Sequence, residues 1–473
     1  MNGNAQSSQS AYLRQPAPNR WIILANVSLG TFMSTLDSSI ANVALPTMSR
    51  ELAAPVHLIQ WVLTAYLLTI CATLPIMGKL SDLWGRTRVY QFGFLLFAFG
   101  SALCAMSRSL DLLIASRIAQ ALGAACLMSN SQAIVAQTFS TGDRGRALGV
   151  IGTVVSLGSL TGPGIGGILV ERFGWPSIFW INVPIGIAAF VAGLAILPKD
   201  AASRREPFDY AGSGLFIVGM TAFLYTLSNA QDWGWSSVAV LAGGIGSLAV
   251  LAVFYAWEKR ARYPMLDFGM YRIKAFAVGN VTALLVFAAN FFTTVMMPFY
   301  MENVLGLSAE HTGYMMMVYP LTMAVVAPLS GYLSDRIGSK LLTTAGLLVM
   351  LGGFLCLTTL RAAEPLLLLA SYLALFGLGS GLFQSPNNAS VMGAVPAPKL
   401  GSAGGLNALA RNVGMVLGTS VSVSIYATGL RHFGGGAATP DPQAMMSALR
   451  IVFFSGMAVC LLALAVSLRR LKL

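Results

Sequence analysis

The chain has 473 residues, of which 56% are hydrophobic and only 10% charged, where an ordinary globular protein carries roughly a quarter Asp, Glu, Lys and Arg. So few charges exclude a water-soluble fold of this length, and five cysteines, odd in number and all within apolar runs, exclude a secreted disulfide scaffold. A net charge of +12 would suggest nucleic acid for a soluble protein, so its placement along the chain decides the matter.

Apolar windows of about 20 residues predict helices 1 to 6 over 20–44, 57–77, 89–107, 110–138, 146–170 and 177–197. A pair follows at 210–229 and 236–257, and helices 9 to 14 cover 275–299, 309–333, 340–360, 365–392, 400–428 and 447–468. Residues 1–19 are polar with no small-residue cleavage site after a short apolar core, so helix 1 is expected to be retained. Fourteen crossings put both termini on one side. The loops of that side hold 21 basic residues, and the opposite loops hold Arg50, Arg108, Arg172, Arg361 and Arg431, with Arg450 at a helix edge. This asymmetry makes both termini cytoplasmic, in a cell inner (plasma) membrane. Basic residues dealt out loop by loop form no single surface for nucleic acid, and no nucleic-acid partner is expected.

Gly78-x-Leu80-Ser81-Asp82-x-x-Gly85 follows helix 2 and Gly331-x-Leu333-Ser334-Asp335-x-x-Gly338 follows helix 10, 253 residues later. That offset equals eight helices with their loops, so a six-helix unit is duplicated with two helices inserted between the copies. The expected division is 1–198 for the first bundle, 199–272 for the linker with the inserted pair, and 273–473 for the second bundle. Parallel halves with a site between them at the midplane are a transporter architecture.

On these marks the chain resembles the major facilitator superfamily, and within it the fourteen-helix drug:proton antiporter branch. The others are Leu36 to Pro46 ending helix 1, Arg117-x-x-Gln120 in helix 4, and Gly149, Gly158, Gly162-Pro163 and Gly166-Gly167 in helix 5. Departures are Ala121 where the helix 4 motif has glycine, Leu83 and Thr87 in place of basic residues after helix 2, and Ser339 in the second copy of that loop. The resemblance implies an all-α polytopic membrane protein with the major facilitator fold.

Inside the spans the ionisable residues are Asp37, Arg117 and Arg411, with Glu302 near the outer end of helix 9. A charge at the bilayer centre costs at least ~2.5 to 3.5 kcal/mol on insertion scales, so each requires a partner, a wet cavity or a function. Helix 1 carries Asp37 about 24 Å up a core of roughly 30 Å, and helix 4 puts Arg117 about 9 Å below its outer face. The two are therefore expected to interact. Either they form a fixed pair, or Asp37 takes up a proton and releases a cationic substrate; the family resemblance favours proton coupling, and sodium stays open. Arg411 has two readings, a structural arginine or a cavity residue.

The resemblance further implies that helices 1, 4, 9 and 12 face the cavity, which makes Thr31, Ser34, Gln120, Asn130, Asn290, Tyr300, Tyr372 and Gln384 candidate lining residues. Asn26, Asn280 and Asn388 are further candidates, with Trp61 and Tyr66 at the rim. Methionines and aromatics of helices 9 and 10, among them Phe292, Met296, Met297, Met301 and Met317, suit loosely specified amphipathic ligands. Gating is expected at Gly78, Asp82, Gly85, Arg86 and Asp335 on the cytoplasmic side, where each aspartate would meet a helix start of the other half. Gly158, Gly162, Pro163, Gly166 and Gly167 either simply pack helix 5 closely or, by resemblance, seal the outer side against helix 13.

The expected function is a proton-coupled antiporter exporting amphipathic, cationic drugs by alternating access, with a dedicated exporter of one endogenous metabolite, antibiotic or lipid-like compound as the alternative. A membrane receptor or enzyme is the remote one, since H-E-x-x-H and G-x-x-x-x-G-K-[ST] are absent. No metal or cofactor is expected, and the partners are a small amphipathic substrate, protons and the lipid bilayer, with the protein working as a monomer.

Overall fold

The computed structural model describes residues 19–139, 141–198, 200, 207–261, 264–396, 400–434 and 441–469. Among the described residues the chain is all helical. The helices are α1 (Arg20–Glu51), α2 (Val56–Trp84, broken at Gln60), α3 (Arg86–Met106), α4 (Leu110–Thr138), α5 (Thr141–Phe173) and α6 (Ser177–Ile196, broken at Ile181). They continue as α7 (Tyr210–Trp233), α8 (Val238–Arg260), α9 (Lys274–Asn303), α10 (Ala309–Ile337), α11 (Ser339–Thr358), α12 (Leu366–Gly393), α13 (Leu400–Phe433) and α14 (Pro442–Leu468).

Among the described residues twelve of these are long and apolar enough to cross a membrane. The two outside that set are α1 and α5. Asn26, Thr31, Ser34, Thr35, Asp37, Ser38, Ser39 and Asn42 lower the hydropathy of α1, and five of them are buried against other helices.

Two expected boundaries move. The proline at position 46 does not stop α1, which runs on to Glu51, as membrane helices can when neighbours satisfy the freed carbonyl. The repeated G-x-L-S-D segments are final helical turns rather than loops. Each helix stops at the closing glycine, Gly85 at φ 107° and Gly338 at φ 88°, where a side chain would be strained.

The duplication is visible in the packing. A Cβ added to Gly93 of α3 would lie 3.1 Å from the Gly123 carbonyl oxygen on α4, and one added to Gly346 of α11 would lie 2.7 Å from that of Gly379 on α12. Likewise α5 lies on α1 and α13 on α9 through glycines Gly158, Gly162, Gly414 and Gly418. Across the halves α5 packs on α10 and α13 on α2. This corrects the expected meeting of helices 5 and 13. A two-fold that exchanges α5 with α13 and α2 with α10 turns one of these contacts into the other, so each glycine helix faces the partner's second helix. Ends of α1 and α9 far from the N-terminus, here called distal, share one apolar cluster containing Ile40, Leu45, Met48, Phe292, Met296, Met297 and Met301.

Candidate functional site

Five helices of the first half converge on Asp37. It sits in α1 between the buried residues Leu36 and Ile40, and neither its side chain nor that of Arg117 has any exposed surface. Arg117, about two turns into α4, donates from Nη1 to Asp37 Oδ2 at 2.6 Å and to Gln120 Oε1 at 2.6 Å. The helical spacing of three residues puts Gln120 on the same face, where its Nε2 donates to Asp37 Oδ1 at 2.8 Å and to Ser101 Oγ of α3 at 2.8 Å. Asn182, at the break in α6, adds a 3.1 Å hydrogen bond to the same Oδ1. Arg117 Nε donates to the Val62 carbonyl of α2 at 3.0 Å, and the guanidinium lies 4.0 Å from the Tyr66 ring centroid.

The arrangement is a carboxylate whose two oxygens receive three donors in a site closed to solvent. Three polar atoms remain unspent. Arg117 Nη2, the Tyr66 hydroxyl and Asn182 Oδ1 are buried with no hydrogen-bond partner, and such groups are expected to meet a water or to belong to a working site.

Other predicted residues are placed as follows. Thr31 donates to the Val27 carbonyl and, at 3.2 Å, to Ser131 of α4, while Ser34 bonds its own helix at Gly30. Asn130 donates to the Cys126 carbonyl and leaves its Oδ1 unpaired. In the second half Asn290 accepts from Ser380 at 3.3 Å, and Tyr372 and Gln384 are half-buried on α12. Tyr300 lies elsewhere than the cavity: it is fully buried in the distal cluster, and its hydroxyl donates to the Arg361 carbonyl at 2.7 Å. Phe292, Met296, Met297 and Met301 are core in that cluster too, because α9 turns this face toward its own bundle. Asn26 lies at the α1–α6 seam, where its amide holds the Ala189 carbonyl beside a cavity of about 330 Å³.

On the opposite, proximal face, Asp82 at the end of α2 is half exposed and pairs at 2.8 Å with Arg86 at the start of α3, across the Gly85 break. Asp200 instead caps the start of α3, accepting from the amides of Thr87 at 2.8 Å and Arg88 at 3.1 Å. Gly85 backs onto that carboxylate, and Gly78 faces Ser129 of α4. The side chains of Asp335 and of the α13 start near Leu400 lie outside the described residues. On the distal face Gly167 and the carbonyl of Pro163 abut α10 at Ala309 and Gly313, whereas Gly158, Gly162 and Gly166 face α1 at Thr35, Ser39 and Ile40. Arg50 of α1 pairs with Glu302 of α9 at 2.9 Å across the halves.

A profile of the Major Facilitator Superfamily matches residues 27–419. The chain belongs to the major facilitator superfamily. It is 39% identical over 414 residues to the riboflavin transporter RibZ of Clostridioides difficile, spanning 87% of this chain and 90% of that protein. It is 34% identical over 411 residues to the multidrug resistance protein Stp of Mycobacterium tuberculosis, spanning 86% of this chain and 76% of that one. A solved peptide transporter POT in complex with sulfate shares the fold at a TM-score of 0.68 and 17% identity, covering 96% of this chain and 95% of that one. The chain is thus a polytopic membrane protein of a transporter family rather than an enzyme.

For this superfamily member, sequence reasoning missed Ser101, Asn182 and Asp200. Asn182 was the most findable, a lone amide opening an apolar run before Pro184. Ser101 gave no signal, because a serine bonded within a membrane helix looks the same as one that also serves a neighbouring helix.

Proposed function

We propose that this protein is a proton-coupled secondary antiporter of the fourteen-helix drug:proton branch that exports amphipathic compounds by alternating access. In this reading all fourteen helices cross the plasma (inner) membrane with both ends cytoplasmic. The bundles 1–198 and 273–473 rock as two bodies about the linker 199–272, and a monomer suffices. The observation that carries the reading is the buried Asp37–Arg117–Gln120 network with its unspent Arg117 Nη2 and Tyr66 hydroxyl.

Protonation of Asp37 removes the negative charge that Arg117, Gln120 and Asn182 all address. It leaves a group able to donate one hydrogen bond, so the junction of α1, α4 and α6 loosens. Helix α1 also carries Ser39 against α5 and Arg50 against Glu302, which gives the change a mechanical route to the distal closure. Asp37 has no exposed surface in this conformation, so a cationic substrate reaches it only after the pair opens.

The test is flux in proteoliposomes under separate pH and sodium gradients. A pH gradient is expected to drive accumulation of a fluorescent amphipathic dye by wild type, with Asp37→Asn reduced to downhill exchange. Uphill transport by Asp37→Asn at a normal proton ratio would show that the coupling lies elsewhere. A second reading, transport of a flavin-like solute, is supported by the 39% identity to a riboflavin transporter; riboflavin belongs in the same flux assay.

A further inference from the structure

Arg411 is the embedded charge that this mechanism leaves unused. It lies on α13, and its guanidinium is 5.8 Å from the ring centroid of Phe287 on α9. Phe287 is the fourteenth residue of the 30-residue α9, so roughly 20 Å of helix separates it from either end. The guanidinium therefore stays at mid-depth instead of snorkelling to an interface. Among the described residues no carboxylate and no hydrogen-bond acceptor reaches it. The residue is half-buried, and exposure of a guanidinium to acyl chains is strongly unfavourable. Both helices lie at the boundary between the halves, α13 against α2 and α9 against α1, which is where a surface of this kind can meet water instead of lipid. One turn below, Asn407 ties α13 to Asn388 of α12 at 3.1 Å, fixing that face of the helix.

Resting on the exporter reading above, we propose that Arg411 and Phe287 form the substrate subsite for a planar amphipath bearing a carboxylate or another strongly accepting oxygen. The guanidinium binds the oxygen and the ring stacks on the ligand's plane. Arginine suits this role because its fork of donors matches a carboxylate and its flat face accepts an aromatic neighbour. Asp37 is shut away and fully engaged, so the cavity offers a free cation and no free anion among the described embedded residues. Proton and substrate then occupy different halves, and exchange arises from the conformation each one favours rather than from competition for one carboxylate.

The probe pair is rhodamine B and its ethyl ester, which share one ring system and differ in carboxylate against ester. Binding to the full chain in nanodiscs is measured by fluorescence anisotropy. Wild type is expected to bind the acid at least tenfold more tightly than the ester. Arg411→Gln brings the acid to the affinity of the ester, Arg411→Lys keeps part of the preference, and Phe287→Leu weakens both dyes. Equal affinities in wild type, or a loss in Arg411→Gln shared by both dyes, overturn the subsite. Should Arg411→Gln fail to elute as a folded protein, the wild-type ratio and its change in Arg411→Lys decide alone. Failure of wild type to bind either dye overturns the exporter reading and the subsite with it, whereas binding of both with a ratio insensitive to Arg411 overturns the subsite only.

Discussion

Replacing Asp37 by Asn tests whether the buried network is an energetic unit. Asp37 Oδ2 faces Arg117 Nη1 at 2.6 Å, and Oδ1 faces Gln120 Nε2 at 2.8 Å and Asn182 Nδ2 at 3.1 Å. Asn offers one oxygen and one NH₂, so a donor must point either at the guanidinium or at the two amides. In both orientations Arg117 loses its counter-charge in a site with no exposed surface. Removing one member of a buried pair costs about 3–5 kcal/mol. Arg117→Gln, which strands the carboxylate, is expected to cost a similar amount. The double variant removes both charges together, so its loss should fall about 3 kcal/mol short of the sum of the single losses. Equilibrium unfolding in mixed micelles, followed by the fluorescence of the 8 tryptophans, gives the cycle. Additivity within ~0.5 kcal/mol, the behaviour of independent sites, would refute the network as a coupled unit.

Gly162→Ala places a methyl group against Ser39 Oγ, which donates to the Gly158 carbonyl at 3.1 Å. A loss of about 1–3 kcal/mol is expected, with partial recovery on adding Ser39→Ala, both read by thermal denaturation in detergent. Asp200→Ala removes the cap on α3 and should cost about 1 kcal/mol. Gly85→Ala should cost more than that, because φ at 107° and the Asp200 carboxylate both oppose a side chain; equal losses would show that the turn is not strained. Glu302→Ala breaks the cross-half pair with Arg50, whose side chain is 55% exposed. At about 1 kcal/mol, the upper end for partly exposed pairs, the distally open population rises about fivefold. Maleimide labelling of Val43→Cys, at a position fully buried in the distal cluster of α1 and α9, in a cysteine-free background reads this as a faster rate, and an unchanged rate means the pair does not hold the gate.

Among the described residues each of the fourteen helices coincides with an apolar window of the sequence, although only twelve are apolar enough to cross a membrane; the Asp37–Arg117 contact was legible too, because depth along a straight helix is simple arithmetic. Helix ends were less legible. The closing glycines Gly85 and Gly338 act through φ, while the runs before them look like loops by polarity. Cross-half partners were not legible from one helix at a time. The glycines of α5 announce close packing, but which neighbour they approach depends on the symmetry axis, and it proved to be α1 on one side and α10 on the other. Likewise Tyr300 and the methionines of α9 have a composition suited to a cavity, and only the rotation of α9 turns them inward to the core.

The duplication supplies an internal control on what the Asp37 network is for. Gly158 and Gly414 make the same approach, one to Phe32 and Leu36 and the other to Leu284 and Ala288. That pairs α1 with α9 at an offset of 252 residues, as do Pro46 and Pro298, and Ala289 then stands opposite Asp37. Gly123 and Gly379, which occupy matching contacts, pair α4 with α12 and set Leu373 opposite Arg117 and Phe376 opposite Gln120. Gly93 and Gly346 do the same for α3 and α11, so Phe354 answers Ser101. Where the first half has a 2.8 Å hydrogen bond between Gln120 and Ser101, the second has an edge-on contact of Phe354 with Phe376 at 4.9 Å. Ala289, Phe354, Leu373 and Phe376 are all buried in one apolar cluster. The same scaffold is therefore held together at the same place by packing alone. Buried ion pairs are often neutral or inferior to apolar residues in stability, so bundle stability does not account for charge in the first half. On the antiport reading proposed above, what the charge adds is a response to protons, confined to one of two halves that otherwise pack alike.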